Sequence, residues 1–152
     1  MRYDLRRFNG SFKGTIAECM FKLTNDRVVI TKFFNKVKYF TVFGKHFTDE
    51  QKAFLETNWY SIDAIEVFFS DGQRNIILYE IKTKNKAYEK KIKWPHKITQ
   101  NTVNMYRKSA EIGFKPIIVI VWFLENWNFE IEVREFESGW WTIDRPKLYD
   151  KN

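Results

Sequence analysis

Residues 62–83 read IDAIEVFFSDGQRNIILYEIKT, and this stretch decides the fold that the sequence predicts. Ile62–Phe69 and Asn75–Thr83 are rich in β-branched and aromatic residues, as strands are. Between them, Ser70-Asp71-Gly72 is a strong turn signal. The stretch therefore predicts a β-hairpin.

Charged residues interrupt the apolar pattern of the second strand. Glu80 and Lys82 occupy alternate positions, so they point to the same face as Ile76 and Leu78. Asp63 stands near the start of the first strand, and the hairpin folds it back towards Glu80. Two carboxylates and a lysine at one end of a sheet offer oxygen ligands for Mg²⁺ or Mn²⁺ and a cation that stabilises negative charge. A solvent-facing ion pair is the alternative interpretation, because Glu-x-Lys is common on strands.

The elements around the hairpin predict an α/β fold. Thr15–Thr24 and Ile98–Ile112 have helical spacing, and Gly113 is a suitable stop for the second helix. Pro116–Phe123 is continuously apolar, as a central strand covered on both faces is. Asn128–Phe136 alternates, which predicts a strand with one face exposed to water. The order of these elements predicts a central mixed β-sheet flanked by helices.

A segment rich in aromatic residues, at about residues 35–60, is inserted before the hairpin. Arg27–Phe34 is predicted to be a strand, and Val37–Phe43 a further strand or an extended loop. Thr48-Asp49-Glu50-Gln51 fits a capping box, so a short helix is expected over Asp49–Thr57.

Length and composition indicate one intracellular domain spanning residues 1–152. There is no repeat or Pro/Gly-rich linker, and 152 residues suit a single domain. The longest apolar run, Ile117–Leu124, is eight residues long, whereas a bilayer span needs roughly 18. The N-terminus has no apolar signal region, and one cysteine cannot form an internal disulfide. We therefore expect a cytoplasmic protein with no membrane partner.

Positive charge is concentrated in one segment. The chain has 26 Lys and Arg against 19 Asp and Glu, a net charge of +7, and residues 82–97 hold seven lysines against one acid. Such a block is typical of a polyanion-binding protein, although a solvated lysine face is the alternative. Gln100 and Tyr106, on the helix that follows, are candidates for orienting a phosphate, with a surface or core role equally open. The expected nucleic-acid-binding residues are Lys84, Lys86, Lys90, Lys91, Lys93, Lys97 and Gln100.

The order of these motifs resembles the PD-(D/E)xK nuclease superfamily, and within it the archaeal-type Holliday junction resolvases. The residues that carry the resemblance are Lys13-Gly14-Thr15-Ile16-Ala17-Glu18, Ile62-Asp63, Glu80-Ile81-Lys82 and Phe114-Lys115-Pro116. Ile62 stands where the motif has its proline. The resemblance covers about residues 13–132 and implies a restriction-endonuclease-like core.

The resemblance also implies a site and an activity. Asp63, Glu80 and the backbone carbonyl of Ile81 would bind Mg²⁺ or Mn²⁺, Lys82 would position or activate water, and Glu18 would be a further catalytic carboxylate. The expected activity is Mg²⁺-dependent hydrolysis of phosphodiester bonds in branched or duplex DNA, with a Holliday junction resolvase as the leading specific reading. The alternatives are a restriction-like or homing endonuclease that uses the aromatic insertion for site recognition, and a catalytically silent nucleic-acid-binding protein.

An enzyme that makes paired cuts needs two active sites, and a chain of this size holds one. We therefore expect a homodimer or a higher homo-oligomer. The aromatic residues considered available for the interface are Phe123, Trp127, Trp140 and Trp141. The segment Trp127–Trp141 is favoured, because the apolar strand Pro116–Phe123 is expected to use its own side chains in the core.

Overall fold

The computed structural model describes residues 10–85 and 98–135. The helices and strands of this part are α1 (Gly10–Thr24), β1 (Val29–Ile30), α2 (Lys36–Phe43), α3 (Asp49–Asn58), β2 (Ala64–Ser70), β3 (Gln73–Asn85), α4 (Gln100–Glu111), β4 (Lys115–Phe123) and β5 (Phe129–Glu135). Short 3₁₀ turns are Thr31–Phe33, Gly44–His46 and Trp59–Ser61. None of the helices in these two ranges is long and apolar enough to cross a membrane.

The described strands form one five-stranded sheet in the order β1-β2-β3-β4-β5. β3 and β4 are parallel, and the other neighbouring pairs are antiparallel. A parallel pair needs a crossover connection, which here includes α4. The prediction of an α/β fold with a mixed sheet flanked by helices is confirmed.

The predicted hairpin is formed by β2 and β3. Its turn has Asp71 at φ 53° and Gly72 at φ 75°, the left-handed values that a tight hairpin turn of type I′ requires. Ser70 pairs with Gln73 across the turn. β2 begins at Ala64 rather than at Ile62, so Asp63 lies just outside the strand.

Alternate residues of β3 face two different cores. Ile76 and Leu78 pack in the core that also contains the buried side chains of α3 and α4. Ile77, Tyr79 and Ile81 pack in the other core, against α1. The sheet is therefore covered on both faces, and Glu80 follows Ile76 and Leu78 onto the α4 face, as the alternation predicts.

The aromatic insertion at about residues 35–60 contributes to the first of these cores. Tyr39, Phe47 and Trp59 are buried there together with residues of β2 and β3. The aromatic content of this segment is therefore largely explained by packing.

The predicted strand over Arg27–Phe34 is mostly wrong. Only Val29 and Ile30 pair with β2, and the chain then turns into the 3₁₀ turn at Thr31–Phe33. The hydroxyl of Thr31 donates to the carbonyl of Ile62, and the indole N–H of Trp59 donates to the carbonyl of Thr31 at 3.2 Å. These long-range hydrogen bonds replace a strand ladder.

The prediction of a strand or extended loop over Val37–Phe43 is also wrong, because this segment is α2. The side chain of Asn35 caps the helix by accepting from the N–H of Lys38 at 3.1 Å. Tyr39 and Phe43, one helical turn apart, stack with ring centroids 4.7 Å apart. Packing at the i, i+4 spacing therefore outweighs the β propensity of the aromatic residues.

The remaining elements agree with the sequence predictions apart from their ends and the exposure of β5. The capping box of α3 has both of its hydrogen bonds, and Gly113 ends α4 at φ 101°. β4 is an interior strand, and Phe123 is fully buried, so it is not available for an interface. Most of β5 is exposed on both faces among the described residues, so the expected contrast between its faces is absent.

Candidate active site

Asp63 directly precedes the first residue of β2, Ala64. Its backbone N–H donates to the carbonyl of Tyr79 at 3.2 Å. Its side-chain Oδ2 accepts from the N–H of Ile81 at 2.7 Å. The carboxylate thus takes the place of a strand partner, and this hydrogen bond fixes it beside the middle of the Glu80-Ile81-Lys82 motif.

The carbonyl of Ile81 is oriented by the same strand geometry. The N–H and C=O of one strand residue point to the same side of the strand. Since the N–H of Ile81 bonds to Asp63, its carbonyl also faces the side where Asp63 stands. The expectation that this carbonyl is a metal ligand is compatible with this orientation and stays a prediction.

Glu80 is buried and bonded through both carboxylate oxygens. Oε2 forms an ion pair with Nζ of Lys82 at 2.9 Å, and Oε1 accepts from the hydroxyl of Tyr106 at 2.9 Å. Tyr106 lies on α4, is fully buried, and has its hydroxyl 3.3 Å from the carbonyl of Tyr79. Tyr106 is therefore a core residue, which is one of the roles that the sequence leaves open, and its hydroxyl orients Glu80 by a hydrogen bond.

Glu18 approaches from α1, on the other face of the sheet. It is buried, and its Oε1 lies 2.6 Å from Nζ of Lys32, which also donates to the hydroxyl of Thr15 at 3.2 Å. Lys32 belongs to the 3₁₀ turn that replaces the predicted strand. No spacing or motif in the sequence signals the proximity of Lys32 to Glu18, so the sequence does not predict Lys32 as a site residue.

The acids affect one another electrostatically. Burial, and then the charge of Glu80, raise the pKa of Asp63 well above its usual 3.8. Burial also raises the pKa of Glu18; Lys32 opposes this shift, and the charge of Glu80 adds to it. Burial by itself lowers the pKa of Lys82, but the charge of Glu80, its hydrogen bond and the charge of Asp63 together leave that pKa raised. Three carboxyl groups thus lie near two ammonium groups, and a bound cation would favour the ionised forms of the acids whose pKa is raised.

The donor set can be compared with what Mg²⁺ requires. Within residues 10–85 and 98–135, no three His, Cys, Asp or Glu side chains are grouped as a metal-binding cluster. Mg²⁺ is commonly bound by one or two carboxylates, with waters and substrate phosphates completing its shell. Asp63 and Glu80 supply two carboxylates, which meets that smaller requirement in number.

The structure describes only part of the predicted nucleic-acid-binding set. Lys84 lies on β3 and is partly exposed. Gln100 is the first residue of α4, and its side-chain amide donates to Asn104 at 2.8 Å, along its own helix. No hydrogen bond described for it joins it to the acids. Lys86, Lys90, Lys91, Lys93 and Lys97 lie outside the described residues, as do Trp140 and Trp141.

Comparisons of the chain with models of protein families, with curated proteins and with solved structures found no match. Its function has therefore to be inferred from its own residues.

Proposed function

We propose that this chain is a metal-dependent endonuclease that hydrolyses phosphodiester bonds in DNA. The observation that carries the proposal is the convergence of Asp63, Glu80 and Lys82 at the open end of β2. Nζ of Lys82 lies 2.9 Å from Oε2 of Glu80. The carboxylate of Asp63 accepts a hydrogen bond from the backbone N–H of Ile81, the residue between these two. A buried carboxyl group whose pKa is raised by burial and by a neighbouring charge, as that of Asp63 is, is typical of functional sites.

In this proposal Asp63, Glu80 and the carbonyl of Ile81 hold Mg²⁺ or Mn²⁺. When bound, the ion acidifies water and neutralises the phosphate charge. Lys82, held in place by Glu80, orients the attacking water and stabilises the negative charge that develops on the phosphate oxygens. Glu18, held by Lys32, supplies a further carboxylate that accepts hydrogen bonds from water. Tyr106 keeps Glu80 in its orientation.

DNA is the proposed substrate because the chain is basic and the resemblance to PD-(D/E)xK nucleases implies it. The net charge is +7, and lysines are concentrated directly after the catalytic motif. We propose further that the mixed sheet is a restriction-endonuclease-like core, that branched DNA is the specific substrate, and that the protein acts in the cytoplasm.

The two alternatives have less support. A restriction-like or homing endonuclease was expected to recognise its site through the aromatic insertion, but Tyr39, Phe47 and Trp59 are buried in the core. A silent DNA-binding protein has no use for coupled, buried acids, which cost stability. Neither alternative is favoured by a specific contact in the described part of the chain.

The direct test is cleavage by the purified chain. A four-way junction, a linear duplex, a flap and a single strand are each incubated with Mg²⁺ or Mn²⁺, with and without EDTA. Cleavage that requires the metal and is strongest on the four-way junction supports the proposal. Undiminished cleavage in EDTA contradicts the metal-dependent mechanism.

Two variants separate catalysis from binding. Lys82→Ala and Asp63→Asn should abolish cleavage while DNA affinity stays near that of the wild type, because most of the positive charge lies elsewhere. Lys38→Ala, which removes an exposed lysine of α2, is the control and should cleave normally. If Asp63→Asn cleaves as fast as the wild type, the cluster of acids is structural.

A further inference from the structure

A cleft opens between Lys22 of α1, the segment 28–30 that contains β1, and Phe33 and Phe34. Its volume is about 260 Å³. Sites for drug-sized ligands start at roughly 300 Å³, so this cleft suits one smaller group. The residues that line it are Lys22, Val28, Val29, Ile30, Phe33 and Phe34.

Lys32 lies between Phe33 of the cleft and Glu18 of the candidate active site. The ammonium of Lys32 lies 5.3 Å from the ring centroid of Phe33, which lines the cleft. The same ammonium lies 2.6 Å from the carboxylate of Glu18. One side chain therefore connects the wall of the cleft to the acidic cluster.

The chemistry of the cleft favours a flat apolar group attached to an anion. Val28 and Ile30 are buried, and the ring of Phe33 is 57% exposed. An exposed phenyl ring beside an apolar surface suits stacking of another ring. Lys22 in the lining and Lys32 at the boundary supply positive charge. A nucleobase joined to its phosphate has this combination of properties, and an unpaired base enters such a cleft at the lowest cost because it gives up no base pair.

We propose that the cleft binds one unpaired nucleobase of the DNA substrate, with Lys32 contacting a neighbouring phosphate. This inference rests on the proposed nuclease function and makes its substrate more specific. The substrate class is branched DNA in which a nucleotide next to the bond to be cut is unpaired.

The test measures the binding of two fluorescently labelled DNAs to the full chain by anisotropy. One DNA is a fully paired duplex, and the other is the same duplex with a single unpaired nucleotide. Asp63→Asn serves as the background in every case, so that neither DNA is cut. We expect the Asp63→Asn protein to bind the DNA with the unpaired nucleotide more tightly than the paired duplex. Adding Phe33→Ala should weaken binding of the DNA with the unpaired nucleotide about tenfold and leave the affinity for the paired duplex unchanged.

Two further variants complete the test. Phe33→Trp keeps an aromatic face and should restore the preference. Phe69→Ala is the matched control, because Phe69 is 60% exposed but lies at the turn end of β2. Lys32→Ala should lower the salt dependence of binding by about one phosphate contact.

Several results overturn the inference. Phe33→Ala could behave like Phe69→Ala, or weaken both complexes equally. It could instead change the mass of the DNA-free protein in light scattering, in which case the cleft joins two copies of the chain. If the wild type cleaves DNA and any of these occurs, only this inference fails. If the wild type neither binds nor cleaves DNA, the proposed function fails with it.

Discussion

At the scale of single residues, Asp63 is an acid in surroundings that disfavour its charged form. Burial and the charge of Glu80 raise its pKa well above 3.8, so the folded protein binds this proton more tightly than the unfolded chain does. The contribution of Asp63 to folding stability is therefore greatest below about pH 3.8. It is lost as the pH rises from there through the raised pKa of the folded state.

Asp63→Asn should stabilise the metal-free protein at neutral pH. The amide oxygen of Asn can still accept from the N–H of Ile81, whereas the buried negative charge is gone. We expect a gain of the order of 1 kcal/mol, or about 2–4 °C in Tm for a chain of this size.

The measurement is thermal unfolding in EDTA between pH 4 and pH 8. The advantage of the variant should grow with pH, and Mg²⁺ should reduce it by stabilising the wild type. A wild type that is the more stable protein at pH 8 in EDTA would contradict this electrostatic account.

Tyr106→Phe tests whether the buried hydroxyl positions Glu80. The ring still fills the core, but the lost hydrogen bond goes to a buried carboxylate, so folding should lose about 1.5–3 kcal/mol. Cleavage should fall about 10- to 100-fold and require more Mg²⁺, as is typical when the support of a metal ligand is lost. Tyr39→Phe, at another buried tyrosine of the same core, is the control. Equal cleavage by the two variants would limit Tyr106 to packing.

At the scale of elements, α3 and the end of α4 are joined by Gln51. Its side-chain oxygen completes the capping box of α3, and its Nε2 donates to the carbonyl of Ile112 at 3.0 Å. Gly113, at φ 101°, passes so close that an added Cβ would stand 3.0 Å from the same Nε2. The chain can therefore leave α4 at this point only with a residue that tolerates a positive φ and lacks a side chain.

Gly113→Ala and Gly14→Ala should change stability in opposite directions. At Gly113 an alanine is strained and displaces Gln51, so we expect a loss of more than about 1 kcal/mol. Gly14 lies inside α1, and an added Cβ there meets nothing within 4 Å, so we expect a gain of about 0.5–1 kcal/mol. Urea unfolding of the two variants measures both values. If Gly113→Ala leaves the free energy of unfolding unchanged, the end of α4 does not require a glycine.

At the scale of the whole molecule, paired cutting of a four-way junction requires two copies of this site. The described residues contain one such cluster, so we predict a closed dimer at micromolar concentration. Phe123 is buried, but Trp127 is 53% exposed, which keeps the segment Trp127–Trp141 as the expected interface.

Light scattering measures the molar mass, and therefore the oligomeric state, of the wild type and of the Trp140→Ala, Trp141→Ala double variant. The variant should dissociate into monomers while it remains folded. A wild type that is monomeric would count against a resolvase and favour a nicking or single-strand nuclease.

The sequence by itself determined the features that depend on neighbouring residues. The β2–β3 turn needs a positive φ that Asp71 and Gly72 accept, and the α3 capping box closes within four residues, so both were predictable. Strand alternation likewise placed Glu80 and Lys82 on one face, and the hairpin turn placed Asp63 near them. These interactions span a few residues or one hairpin, so the sequence nearby contains what is needed to predict them.

Only the tertiary structure decided the features that depend on contacts between distant segments. Arg27–Phe34 is mostly not a strand because Thr31 bonds to Ile62 and Trp59, about 30 residues away. Lys32 reaches Glu18 only because that turn packs beside α1, and Tyr106 reaches Glu80 only because α4 covers β3. Local propensities differ by less than about 1 kcal/mol per residue, so several buried long-range hydrogen bonds together with side-chain packing outweigh them in a short segment.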